Sequence, residues 1–174
     1  VLNYYYSKNK MWLHFNKLNN YENASHLNFK LRKIISQHVK LSFGTDYFIT
    51  RFNEDFTPNS GFGGTSGYNS SIAAAFAEGD ILFTKNFAAK VGVRASYNDL
   101  LDETAVAPRV SLAYKLNKTS QFSFAYGHFT QAPSVDFIKY SKMHQFESEK
   151  ASHYILNFQY NNDRQTFRAE AYYK

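Results

Sequence analysis

From His153 to Asn161 the chain alternates without a break. Tyr154, Leu156, Phe158 and Tyr160 point one way, and His153, Ile155, Asn157 and Gln159 the other. The polar knot Asn161-Asn162-Asp163-Arg164 turns the chain, after which Phe167, Ala169, Ala171 and Tyr173 alternate with Arg168, Glu170, Tyr172 and Lys174. Period-two patterning on both sides of a short turn predicts a β-hairpin. Each arm is about ten residues, long for a soluble strand and close to what a tilted strand needs to cross a bilayer.

The same pattern recurs upstream. Val1 to Tyr6 reads as the end of a strand, and Ser7 to Asn23 as a polar loop or a projecting hairpin. Leu27, Phe29 and Leu31 oppose Asn28, Lys30 and Arg32; after the turn Ser36-Gln37-His38, Val39, Leu41, Phe43, Tyr47 and Ile49 oppose Lys40, Ser42, Gly44 and Asp46. Asn53 to Gly67 is rich in glycine and polar residues and predicts a long loop. Its glycines precede no helical pattern, so a surface loop is expected there rather than a phosphate cradle. Tyr68 to Thr84 is a strand whose alternation is disturbed at Ala73-Ala74-Ala75 and Glu78-Gly79, where a bulge is expected and an amphipathic helix competes. Clean alternation returns over Phe87–Tyr97, Arg109–Leu116 and Gln121–Phe129, with loops at Asn98–Thr104 and Thr130–Ser148.

Connections near residues 36, 85, 118 and 162 are short, and those at 8–22, 53–67, 98–104 and 131–148 are long. Short and long alternate strictly. A membrane barrel is built this way, with tight periplasmic turns and longer extracellular loops, whereas a soluble sandwich has no reason to sort loop length by side. Periodicity alone does not say whether the apolar face looks at lipid or at a protein core; loop sorting and strand length favour lipid. The predicted fold is all-β, a section of an antiparallel transmembrane β-barrel with about nine strands. On this reading Leu112, Tyr114, Phe158 and Tyr160 must not pack together in a closed interior.

Composition agrees. The 174 residues include 17 Phe and 14 Tyr, suiting strands and the aromatic girdles of membrane barrels. No apolar run approaches the roughly 18 residues of a membrane helix, which leaves a barrel open. There is no cysteine, so thiol chemistry and thiolate metal sites are excluded. The net charge of +6 is spread over many strands, so solvated faces and lumen walls are expected rather than nucleic-acid binding. The opening VLNYYYSKNK lacks the apolar core of an export signal, so either a signal has been removed or the chain is an internal piece.

Candidate chemistry is sparse. The six histidines, His14, His26, His38, His128, His144 and His153, share no ligand spacing, although His128 and His144 flank one loop. Acid pairs at Glu54-Asp55, Asp102-Glu103 and Glu147/Glu149 sit in or beside predicted loops, and no serine occupies a nucleophile elbow. No catalytic residue, metal ligand or cofactor is predicted, and the chain is not expected to be an enzyme. The basic residues Lys90, Arg94, Arg109 and Lys115 fall on the polar face. They are the candidate substrate-binding or lumen-lining set, able to attract an anion or pair with acids inside the barrel.

Several stretches resemble one family in order along the chain: Phe76-Ala77-Glu78-Gly79-Asp80, Val91-Gly92-Val93-Arg94, Ala107 to Lys115, Phe124 to Pro133, Glu149 to Tyr154 and Glu170 to Lys174. The ordered set resembles the TonB-dependent receptors of the Gram-negative outer membrane, well over residues 68–174 and only in style before that. The resemblance implies a 22-stranded barrel blocked by a plug. It implies energy-coupled uptake of a scarce nutrient (siderophore-iron, vitamin, glycan or peptide). The partners implied are outer-membrane lipid, the nutrient and a TonB-type coupling protein acting through a plug region. Residues 1–174 are then expected to be part of one barrel domain, with no plug domain among them; the basic set could face the plug. A passive porin-like or adhesin-like barrel and a soluble β-sandwich binding module are the alternatives.

Overall fold

A computed structural model describes residues 1–13, 16–59, 61–133 and 147–174. Among these, nine strands form one antiparallel sheet in chain order: β1 Leu2–Leu13, β2 Asn16–Ile34, β3 Val39–Thr57, β4 Gly64–Leu82, β5 Phe87–Asn98, β6 Glu103–Lys115, β7 Ser120–Gln131, β8 Glu149–Asn162 and β9 Gln165–Tyr173. Among the described residues no second layer covers the sheet. Leu112, Tyr114, Phe158 and Tyr160 therefore share no closed interior, and Tyr114 stands half exposed on the outer face.

Three of the tight turns use one device. A side-chain oxygen accepts hydrogen bonds from the backbone N–H groups two and three residues on, satisfying donors that the ladder leaves free. Ser36 does so for His38 and Val39, Thr84 for Asn86 and Phe87, and Asn117 for Thr119 and Ser120.

The register reveals the tilt of the wall. Lys33, Leu41, Gly79, Val91, Val110, Tyr126, Tyr154 and Tyr173 are hydrogen-bonding neighbours in one row from β2 to β9. Lys33 lies one residue from the tight-turn end of β2 at Ile34, and Tyr173 lies eight from that of β9 at Gln165. The row thus climbs seven residues over seven strand-to-strand steps. One residue per strand, about 3.3 Å up for about 4.8 Å across, corresponds to a tilt of roughly 35°, the value a closed barrel demands.

The two faces are chemically opposite. Ser42, Asp46, Glu54, Phe52, Ala74, Ala107 and Asn157 are buried and share the inner face. Leu41, Phe43, Tyr47, Val91, Val93, Phe124 and Leu156 are exposed on the outer one. Rings on the outer face form two belts. Phe83, Phe87, Tyr114, Phe122, Phe158 and Phe167 follow one another near the tight turns, and Tyr47, Tyr97, Tyr154 and Tyr173 lie farther up. Apolar side chains facing outward between two aromatic belts are what a strand in lipid requires.

Several expectations change. Asn53–Gly67 is mostly strand: Asn53 pairs Gly67 and Phe56 pairs Gly64, leaving a connection of only residues 58–63. The loop at 98–104 shrinks to residues 99–102, and Ser7–Leu13 and Asn16–Asn23 are the paired arms of a projecting hairpin of β1 and β2. The connections at 8–22 and 53–67 are thus largely hairpin arms, because antiparallel pairing satisfies backbone groups even where side chains are small and polar, while most of 131–148 lies outside the described residues. No bulge interrupts Ala73–Ala75 or Glu78–Gly79, and β4 keeps an unbroken register with both neighbours. Packing does require a glycine at Gly44, where a Cβ would stand 2.2 Å from the Phe29 carbonyl oxygen and 2.8 Å from the Phe76 ring.

Candidate functional site

The inner face carries three groups of polar side chains, stacked along the strands. In the middle, Asp46 on β3 is a hub. His26 Nε2 lies 3.2 Å from one carboxylate oxygen, Asn28 Nδ2 donates to the same oxygen, and the Arg94 guanidinium donates to the other. Side-chain exposure is 9% for Asp46 and 26% for Arg94, so this ion pair is well covered. His26 also stacks on Phe48, with ring centroids 3.9 Å apart.

Toward the tight turns, Lys40, Asp80 and Lys90 are direct neighbours on β3, β4 and β5, and Arg32 reaches in diagonally from β2. Asp80 takes Lys90 on one oxygen at 3.2 Å and Arg32 on the other at 3.5 Å. These residues line a cleft of about 410 Å³.

Toward the open ends of the strands lies a second cleft, of about 280 Å³, lined among others by Arg94, Ser96, Asn98, Glu103, Arg109 and Phe129. It opens where β6 leaves β7: their ladder runs only from Arg109 to Lys115, and the next residue up, Pro108, has no N–H to continue it. The Arg109 guanidinium lies 5.2 Å from the Phe129 ring centroid, a cation–π distance. Glu103 accepts a 2.7 Å hydrogen bond from the Ser148 N–H and pairs with Lys150 at 3.3 Å. The Ser148 hydrogen bonds and Lys150 hold the Glu103 carboxyl below the usual glutamate range. Farther out, Phe52 and Tyr68 stack at 5.7 Å, and burial, then Glu22, pushes the Tyr68 hydroxyl up.

All four predicted basic residues stand on this inner face. The structure brings Arg94 and Arg109 into one cleft and places Lys90 in the other. Lys115 lies beyond both at the tight-turn end and makes no ion pair among the described residues. The acids they meet, Asp46 and Asp80, were absent from the sequence-based set. Their signal was polar residues in the inner phase of β3 and β4, but which cation each acid meets depends on register. His128 faces outward and bonds Ser152 at 3.1 Å, whereas His153 faces inward against Phe129. His14 and His144 lie outside the described residues, and no group of His, Asp or Glu among the described residues could hold a metal ion. Glu54 and Asp55 fall on opposite faces of β3, so they form no acid pair.

A comparison with protein families decides the relationship. The profile of the TonB dependent receptor-like β-barrel matches residues 2–174. The chain belongs to the TonB-dependent receptor β-barrel family. No curated protein matches in sequence. Among solved structures, the chain is similar to a mutant of the ferric enterobactin receptor PfeA from Pseudomonas aeruginosa in complex with enterobactin. There the TM-score is 0.69 at 14% identity, over 90% of this chain and 27% of that one. It is also similar to the ferric yersiniabactin uptake receptor FyuA from Yersinia pestis (TM-score 0.67, 13% identity, 98% and 31%) and to the outer membrane transporter YddB from Escherichia coli (0.62, 13%, 84% and 24%). At such identities the likeness is one of fold. The chain spans roughly a quarter to a third of those receptors. This TonB-dependent receptor wall belongs in the cell outer membrane, with its apolar face toward lipid.

Proposed function

We propose that this chain is a section of wall in a larger receptor that binds a scarce nutrient at its outer end and imports it using a TonB-type coupling protein. The remaining strands and the plug lie elsewhere in that receptor. The observation that carries this reading is the upper cleft, where Arg94 and Arg109 face a wet, concave space. Arg94 is committed to Asp46, while among the described residues Arg109 meets a ring and no carboxylate, so Arg109 is the group with charge to offer. An anionic chelate of a metal, such as a ferric siderophore, fits that chemistry better than a neutral glycan. Two of the similar structures are named as receptors for ferric enterobactin and ferric yersiniabactin.

The test uses cells that express the full receptor and are fed a labelled ferric siderophore. Uptake should stop when the coupling protein is deleted, and Arg109→Ala should weaken binding by about tenfold. Uptake that persists without the coupling protein would show a passive pore instead.

A further inference from the structure

The lower cleft is unbalanced in charge, and that imbalance carries an inference separate from the nutrient-binding reading above. Lys40, Lys90 and Arg32 converge on Asp80, so three cations meet one carboxylate and leave an excess of two positive charges. Asp80 is satisfied, with a different cation on each oxygen. The cations are not: the Arg32 and Lys90 side chains remain 56% and 52% exposed, and Lys40 makes no ion pair among the described residues. Like charges held this close repel one another, and an added anion relieves that repulsion while meeting unused donors. The cleft has room for it, and the hydroxyl-bearing Ser111, beside Lys90 on β6, and Ser123 on β7 also line it.

We infer that this cleft is a small-anion site at the tight-turn end of the barrel, binding a carboxylate- or phosphate-bearing group between Lys40 and Lys90 alongside Asp80. Arg32 takes the Asp80 oxygen that Lys90 leaves, so the carboxylate answers two of the three cations but not Lys40. A guanidinium and two ammonium groups suit a multivalent oxyanion, and the half-exposed setting makes the binding weak and salt-dependent.

Calorimetric titration of the purified full receptor with citrate and, separately, with inorganic phosphate tests this. Saturable binding is expected, weakened about fivefold by Lys40→Ala or Lys90→Ala and strengthened by Asp80→Asn, which frees two cations. Arg109→Ala should leave it unchanged, and that separates this site from the upper cleft; transport plays no part in the readout. Retention of the compact, heat-sensitive gel mobility of a folded barrel checks each variant. Absence of saturable binding, binding that ignores both lysine substitutions, or weakening by Asp80→Asn would each overturn the proposal.

Discussion

Between Val39 and Ile49, and again between Thr50 and Thr57, β3 is one strand in one register, yet its halves turn opposite chemistry outward. In the lower half Leu41, Phe43, Tyr47 and Ile49 face out, and Ser42, Gly44 and Asp46 face in. In the upper half Arg51, Asn53 and Asp55 face out, and Phe52 and Phe56 face in. The neighbours agree. Leu27, Phe29 and Leu31 of β2 face out below, with Asn19, Tyr21 and Asn23 out above; β4 carries Ile81 and Ala77 out below, with Asn69 and Thr65 out above. No bulge intervenes, so the side chains have not been re-aimed; the medium outside has changed. Lipid outside rewards apolar side chains facing out, and water outside sends them back in. The switch near Ile49 marks the outer edge of the bilayer, and the lower half of about eleven residues is the length a tilted strand needs to cross it.

That contrast can be broken directly. Phe43→Arg, in the middle of the lipid-facing half, should cost about 3 kcal/mol, whereas Asn53→Arg on the same outer face above the switch should cost under about 0.5 kcal/mol. Reversible urea unfolding of the full receptor in lipid vesicles measures both, and equal costs would remove the bilayer edge from Ile49. Arg94→Ala is next in size. It leaves Asp46 buried with only His26 and Asn28, at about 2 kcal/mol, and adding Asp46→Asn should recover more than half of that loss.

Phe52→Ala sharpens the upper side of the comparison. It should loosen the arms above Thr50 by about 1–2 kcal/mol in hydrogen exchange and leave protection of the lower half unchanged. The smallest effect belongs to Glu103, which lies beyond the bilayer edge. Its carboxyl is held below the ordinary value of 4.5, so its grip on Ser148 is complete above that value and is lost as pH falls through the depressed one. The Ser148 amide shift, followed from pH 7 to pH 3, should show this transition, and Glu103→Gln should abolish it.

The same contrast explains what could be read from the residues. The strands of β5, β8 and β9 keep one phase throughout, and their inner and outer faces were legible residue by residue. The arms above Ile49 were not, because a template that expects one apolar phase sees the reversal at Phe52 as the end of a strand. Glycines at 61, 63, 64 and 67 reinforced the loop reading, although Gly64 and Gly67 are paired strand residues. Arg94 and Arg109 were recognisable as inner-face cations, but Asp46 and Asp80 could not be matched to them. A shift of one residue between β3 and β4 would have put one of those acids in lipid.

Alternation, strand length and turn chemistry are properties of a few neighbouring residues, so the order of residues alone determined the all-β character, the two faces and the tight turns. Partnerships across strands lie outside any local stretch. Register decided that Asp46 meets Arg94, that Asp80 meets Arg32 and Lys90, and that the wall climbs one residue per strand. Ladder hydrogen bonds set that register jointly along the whole sheet, so only the assembled structure could reveal it.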